Sequence, residues 1–278
     1  ERTLTFDSNT DLRARMETAT VLRSIVDPQG LEATSDGLIV RGPEETVRAA
    51  EWLFTRLERR TGRADETQAL AGEKIRLFPF EAGATSQMMQ EAATTVRVHT
   101  EAKRLFTHQP SRTLVVRARE DKLEHAAWIL RQIAGEGGDP SRRVPREDED
   151  VLRSFTLTLD ERPLQELATV VRSITDVGRL IVLPSWGKMV VRGTAEQVRA
   201  IEWLVPAIVN ASGPRSFTFG NSQIRLFDIA RVKDRNAKAV EIRKATRIPA
   251  IFVMQEPPVL AARGSAEQMT AIEKLLAQ

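Results

Sequence analysis

Apolar positions along this chain change their period in a fixed order, and the order recurs. Thr3-Leu-Thr-Phe6-Asp alternates with period two, as a half-buried strand does. Leu12, Met16, Ala19, Leu22 and Val26 then fall at helical spacing as candidate inward residues, and Asp27-Pro28-Gln29-Gly30 stops them. A strand near Leu31–Ala33, a turn at Ser35-Asp-Gly37 and a strand over Leu38–Val40 predict a hairpin. A second helix over about 44–59 closes a β-α-β-β-α unit.

The end of that unit is written four times. Leu38–Leu57 reads LIVRGPEETVRAAEWLFTRL, and Leu114–Ile133 reads LVVRAREDKLEHAAWILRQI. Lys188–Val205 reads KMVVRGTAEQVRAIEWLV, and Leu260–Leu276 reads LAARGSAEQMTAIEKLL. The equivalent turn arginines are Arg41, Arg117, Arg192 and Arg263, about 70–76 residues apart. Thr194 with Gln197 forms a capping-box pattern ahead of the apolar face Val198, Ile201, Leu204, Val205 and Ile208. The expected units are 1–60, 74–134, 154–210 and 223–278. Residues 135–153, rich in glycine, proline and charge, read as a linker, and 60–73 and 210–222 read as connections. Lys74-Ile-Arg-Leu-Phe78 returns as Gln223-Ile-Arg-Leu-Phe227, and Thr3–Asp7 as Phe155–Asp160. Unit one thus matches three and unit two matches four, a duplicated pair. Pro249, Pro257 and Pro258 around the fourth hairpin push its strands towards an edge.

Each unit of about 55 residues has two helices with one apolar face apiece and three short strands to cover them. The fold class is therefore α+β, four tandem two-layer βαββα modules, and units this small are stabilised by packing on one another.

Composition narrows the function. With 41% apolar residues the chain can bury cores, and it holds no run of 18 apolar residues that would span a bilayer. A formal charge of +3, with acids interleaved among the bases, is a poor electrostatic footprint for nucleic acid. Without cysteine there is no disulfide or thiolate metal site. The chain opens at Glu1, as a processed or trimmed protein does. His99, His108 and His125, separated by 9 and 17 residues, lack the spacing of a metal site. No nucleophile elbow, zincin, P-loop or dinucleotide fingerprint is present. No catalytic, cofactor-binding or metal residue is therefore named, and no small-molecule substrate is expected.

The strand-helix-hairpin-helix order, with LIVRG or MVVRG running into the E-W-L helix, resembles the N-terminal ring domains of bacterial secretins. That resemblance implies a KH-like βαββα fold, a role in protein–protein interaction or ring assembly, and a periplasmic or cell-envelope location. A KH-like fold also raises a nucleic-acid-binding array as the alternative, but the G-x-x-G clamp loop is missing from every unit.

Two residue sets remain as candidates. Trp52, Trp128 and Trp203 each stand eleven residues after the turn arginine, where the fourth unit has Lys274. On a helical wheel Trp203 lies about 160° from the core face, which suggests a contact with a neighbouring unit or a partner subunit. Resting on the flank of its own unit is the simpler alternative. The turn arginines sit near helix N-termini, where they could hold an anion. Strand alternation with Val40 inward instead puts Arg41 on the solvent side, beside acids such as Glu44-Glu45.

Overall fold

Strand periodicity and helix caps account for most of the secondary structure. In the computed structural model, which describes residues 1–61, 66–144, 150–210 and 215–277, the chain divides into two units, Glu1–Gly137 and Gly138–Gln278.

The first unit begins with β1 (Arg2–Thr5), α1 (Leu12–Ile25), β2 (Gly30–Ala33), β3 (Gly37–Arg41) and α2 (Glu44–Arg59). It continues with β4 (Thr67–Leu70), β5 (Glu73–Pro79), α3 (Ser86–Thr100), β6 (Arg104–His108), β7 (Thr113–Ala118) and α4 (Glu120–Ala134). Two antiparallel sheets result, ordered β1-β3-β2 and β4-β5-β7-β6. The second unit contains β8 (Ser141–Arg143), β9 (Val151–Thr156), α5 (Glu161–Thr175), β10 (Arg179–Leu183), β11 (Lys188–Gly193) and α6 (Ala195–Val209). There follow β12 (Ser216–Phe219), β13 (Ser222–Asp228), α7 (Arg235–Thr246), β14 (Ala250–Met254), β15 (Val259–Gly264) and α8 (Ala266–Leu276). Its antiparallel sheets are ordered β8-β9-β11-β10 and β12-β13-β15-β14. The fold is α+β, with four small antiparallel sheets each carrying helices.

Five of the helix starts carry side-chain caps. Asp11, Thr85 and Asp234 accept from the backbone N–H three residues on, while Thr194 and Ser265 close full capping boxes with Gln197 and Gln268. The first helix of each module ends at a left-handed residue that is not glycine: Asp27, Glu101, Asp176 and Arg247, with φ between 52° and 59°.

Within each unit the two sheets share one packing scheme. In the first unit α1 and α2 cover one face of β1-β3-β2 through Leu4, Val21, Leu22, Ile25, Val40, Leu53 and Leu57. The opposite side of α1 lies on β6 and β7. The second sheet is therefore covered on both faces, and all six residues of β7 are buried. In the second unit α5 lies on β14 and β15 in the same way, with Val170, Val171 and Ile174 fully buried.

This packing changes several expectations. Of the expected inward residues Leu22 and Val26 are buried, whereas Leu12 and Met16 are 73% and 63% exposed, and Thr18, Val21 and Ile25 are buried in addition. The face of α1 is set by two sheets, and the second one selects the Thr18–Val21–Ile25 line, which a search for one apolar stripe misses. The connection read at 60–73 holds β4 and the one at 210–222 holds β12, while the linker read at 135–153 holds β8 and the start of β9. Parts of those stretches, 62–65, 145–149 and 211–214, lie outside the described residues, as does Gln278. These added strands are only three or four residues long and partly polar, so each pairs through backbone bonds more than through an apolar pattern. The expected first helix at 85–95 runs to Thr100 and stops at the left-handed Glu101, and buried Thr95 and Thr100 satisfy their hydroxyls on the carbonyls four residues back.

Candidate interaction surfaces

The turn arginines occupy equivalent places in the four sheets and have two kinds of partner. Arg41 is about half exposed and pairs with Glu1 at 2.7 Å and Glu32 at 3.0 Å. Arg192 pairs with Asp150 at 2.9 Å. Both sets of partners belong to the arginine's own sheet or its approach.

The other two arginines reach across to the preceding module of the same unit. Arg117 is buried at 8% exposure, pairs with Glu73 at 2.9 Å and donates to the carbonyls of Ile25 and Val26 at 3.1 and 3.3 Å. Those carbonyls close α1, where the helix dipole is negative. Arg263 pairs with Asp176 at 2.5 Å, the residue that ends α5. The expected solvent side is thus corrected for Arg117: the strand face that would be exposed in a single module is the one on which α1 sits.

A second arginine set escaped the sequence reading. Arg2, Arg76, Arg153 and Arg225 stand opposite Val40, Val116, Val191 and Ala262, each the residue before a turn arginine. Each pairs with a carboxylate on the second helix of its module: Glu51, Glu124 and Glu202 at 2.7, 2.7 and 3.0 Å, and Glu273. Arg76, Arg153 and Arg225 also lie over Phe78, Phe155 and Phe227 at 5.3–5.6 Å. The repeated Ile-Arg-Leu-Phe was the available signal. Its arginine is invisible to an apolar-pattern search.

The tryptophans do not form one set. Trp203 stacks on Phe217 of β12, in the following module, with centroids 5.4 Å apart and planes 26° apart. Trp52 packs against the first core and lies under the Arg56 guanidinium at 4.4 Å. Trp128 is buried at 7% exposure, and Lys274 at the fourth position is exposed.

One tie inside the modules was also missed. Gln197 donates to the carbonyls of Thr175 and Asp176 at 3.1 Å, and Gln268 donates to Thr246 at 3.0 Å. Lys122, at the equivalent place in the second module, donates to Glu101 at 3.2 Å. Each thus fastens the start of a second helix to the end of the first. A Cβ on Gly193 would lie 2.7 Å from the Gln197 Oε1, so the glutamine tie requires glycine there. Ala118 replaces that glycine in the module whose tie is lysine.

His108 bridges two modules of the first unit. Its Nε2 is 3.0 Å from the Thr18 hydroxyl on α1, and its Nδ1 is 2.7 Å from Ser111 Oγ. Burial, with the Arg60 charge added, lowers its pKa to about 4. Beside it the Gln109 N–H donates to Glu17 at 2.5 Å, and the second unit repeats that bond between Gln255 N–H and Glu166 at 2.9 Å. His99 and His125 are buried as well. Among the described residues no group of three or more histidines, aspartates or glutamates is placed to hold a metal ion, and no helix is long and apolar enough to cross a membrane.

No protein-family model matches the chain, and no curated protein matches it. Among solved structures it is similar to ExeD of Aeromonas hydrophila at 13% identity, over 74% of this chain and 40% of that one, with a TM-score of 0.19. A chain of the ETEC pilotin–secretin AspS–GspD complex matches at 11% identity, over 73% of this chain and 37% of that one, also with a TM-score of 0.19. The chain spans about two fifths of the length of these structures.

Proposed function

We propose that this chain is a non-enzymatic protein–protein interaction and assembly module of the bacterial cell envelope, built from KH-like βαββα units of the secretin ring-domain type. The observation that carries the reading is a module-on-module contact made twice. In each unit the first helix of one module lies on the hairpin of the next, and a turn arginine of that next module holds the helix's C-terminal end. Modules that pack through a repeated, directional contact are suited to building larger assemblies. The envelope setting rests on the resemblance of the repeated V-R-G turn and E-W-L helix to secretin ring domains.

The test is sedimentation velocity of the purified chain over a wide concentration range, alone and with labelled single-stranded RNA, together with fractionation of the producing cells. Self-association or a defined protein complex, with the chain in the envelope fraction, is the expected result. A cytosolic monomer that binds RNA with a steep salt dependence would overturn the reading in favour of a nucleic-acid array.

A further inference from the structure

The second module gathers positive charge at a place where its three counterparts are neutral. A pocket of about 410 Å³ opens there between the end of α3, the open end of the β6–β7 hairpin and the start of α4. Lys103, Arg104, Arg117, Arg119 and Lys122 stand on its wall, and the carboxylates that face them are Glu73 and Glu101. We propose that this pocket binds the phosphate group of a small phosphorylated molecule, with Lys103, Arg119 and Lys122 as its cationic contacts.

Those three cations are peculiar to this module. Counted from the left-handed residue that ends the first helix, Lys103 stands where the other modules hold Gln29, Gly178 and Pro249. Counted from the turn arginine, Arg119 replaces Pro43, Thr194 and Ser265, and Lys122 replaces Thr46, Gln197 and Gln268. Drawing three cations to one place costs repulsion and adds nothing to an apolar core, and an anion between them offsets that cost. The other two arginines are already engaged, Arg104 by Asp27 and Arg117 by Glu73, both at 2.9 Å. Lys103 has no carboxylate partner among the described residues, and Lys122 donates only to the Glu101 carbonyl at 3.2 Å. Arg119 meets Asp121 at 3.1 Å in an exposed pair, which an incoming anion can displace at little cost.

The acids at the start of α4 leave the site open to an anion. Glu120 pairs with Lys74 at 2.6 Å, and neither Glu120 nor Asp121 is on the pocket wall. Five cations against two carboxylates leave a surplus of positive charge that one carboxylate ligand would not neutralise. A phosphomonoester suits it better, with about −1.5 to −2 charge at neutral pH and three strong acceptor oxygens for separate donors. The volume is that of a small-ligand pocket. The inference stands on this pocket and not on the assembly reading, so either can fail alone.

The probe is inorganic pyrophosphate, titrated into the full chain at about 150 mM salt and followed by calorimetry and by the amide resonances of Lys103, Arg119 and Lys122. One saturable site that shifts all three amides is expected. Lys103→Gln with Arg119→Thr, copying Gln29 of the first module and Thr194 of the third, is expected to weaken binding about tenfold or more. Both side chains are exposed, so hydrogen exchange along α4 should stay as it is. Should the double variant lose its fold, Lys103→Glu alone is expected to abolish the site. No saturable binding at millimolar pyrophosphate, or affinity that survives these substitutions, would overturn the proposal. Citrate bound as tightly as pyrophosphate would overturn it by assigning the pocket to carboxylates. A single-stranded RNA of about 12 nucleotides that displaces the pyrophosphate, with a steep salt dependence, would overturn it in favour of a nucleic-acid surface.

Discussion

The two units solve one packing problem with different chemistry. Where α1 meets β6, Thr18 and His108 face each other across a hydrogen bond of 3.0 Å. Where α5 meets β14, the equivalent places hold Leu167 and Met254, both fully buried. The arginine latch differs in the opposite sense. Arg117 is buried against two backbone carbonyls, whereas Arg263 meets an Asp176 side chain that is 66% exposed. One contact geometry therefore tolerates either an apolar or a polar centre, provided that each buried polar group has a partner.

Exchanging the two centres would break the comparison most strongly. In the second unit, Leu167→Thr or Met254→His alone is expected to cost about 2–4 kcal/mol, because each leaves a cavity or a buried polar group without its partner. The double substitution rebuilds the hydroxyl–imidazole pair and should cost at least about 1 kcal/mol less than the sum. Native-state hydrogen exchange at α5 and β14 measures each variant, and strict additivity would refute the equivalence of the two sites.

The latches come next. Arg117→Ala is expected to destabilise the first unit by about 2–3 kcal/mol, since the Ile25 and Val26 carbonyls and Glu73 lose their donor at a buried site. Arg263→Ala is expected to cost about 1 kcal/mol, less than Arg117→Ala, because its partner Asp176 is largely exposed and stays hydrated when the guanidinium is lost. Urea unfolding followed by exchange at α1 and α5 separates the two, and equal losses would contradict the assignment.

Acid should distinguish the halves as well. The folded state holds His108 near pKa 4, below its unfolded value of 6.5, so the unfolded chain binds more protons between those values. Stability of the first unit should thus be nearly complete above about pH 6.5 and fall by about 3 kcal/mol as pH drops towards 4. His108→Met, copying the second unit, should flatten that profile at α1 and β6. An unchanged profile would place the acid sensitivity elsewhere.

The smallest effect concerns the tryptophans. Phe217→Leu keeps the apolar contact but removes the ring stack on Trp203, for an expected loss of about 1 kcal/mol at α6. Arg56→Met removes the cation over Trp52 and is expected to cost about 0.5–1 kcal/mol at α2. Exchange rates at the two helices read both, and a larger effect at Arg56 would reverse the order.

Which features could be read from the sequence follows from how local their causes are. Helix starts at Asp11, Thr85 and Thr194 were written in side chains three residues from their targets. The hairpins were written in alternation and turn residues. By contrast, β4, β8 and β12 are short and partly polar, and their pairing is made by backbone groups that every residue carries. The two arginine sets show the same division. Arg117 and Arg41 occupy equivalent places in nearly the same local sentence, yet one is buried under α1 and the other is half exposed. Trp52 and Trp203 likewise share a sequence position and differ in their ring partners, an arginine one turn on and a phenylalanine 14 residues on.

By itself, then, the sequence determined the α+β class, the β-α-β-β-α order that the four modules share, and the places where several helices start. Those features depend on periodicity and on contacts within a few residues. Only the tertiary structure decided which side of α1 is buried, which turn arginine holds a helix end, and which tryptophan stacks on a phenylalanine. Each of those depends on what a different module places alongside, and no spacing within one module encodes it.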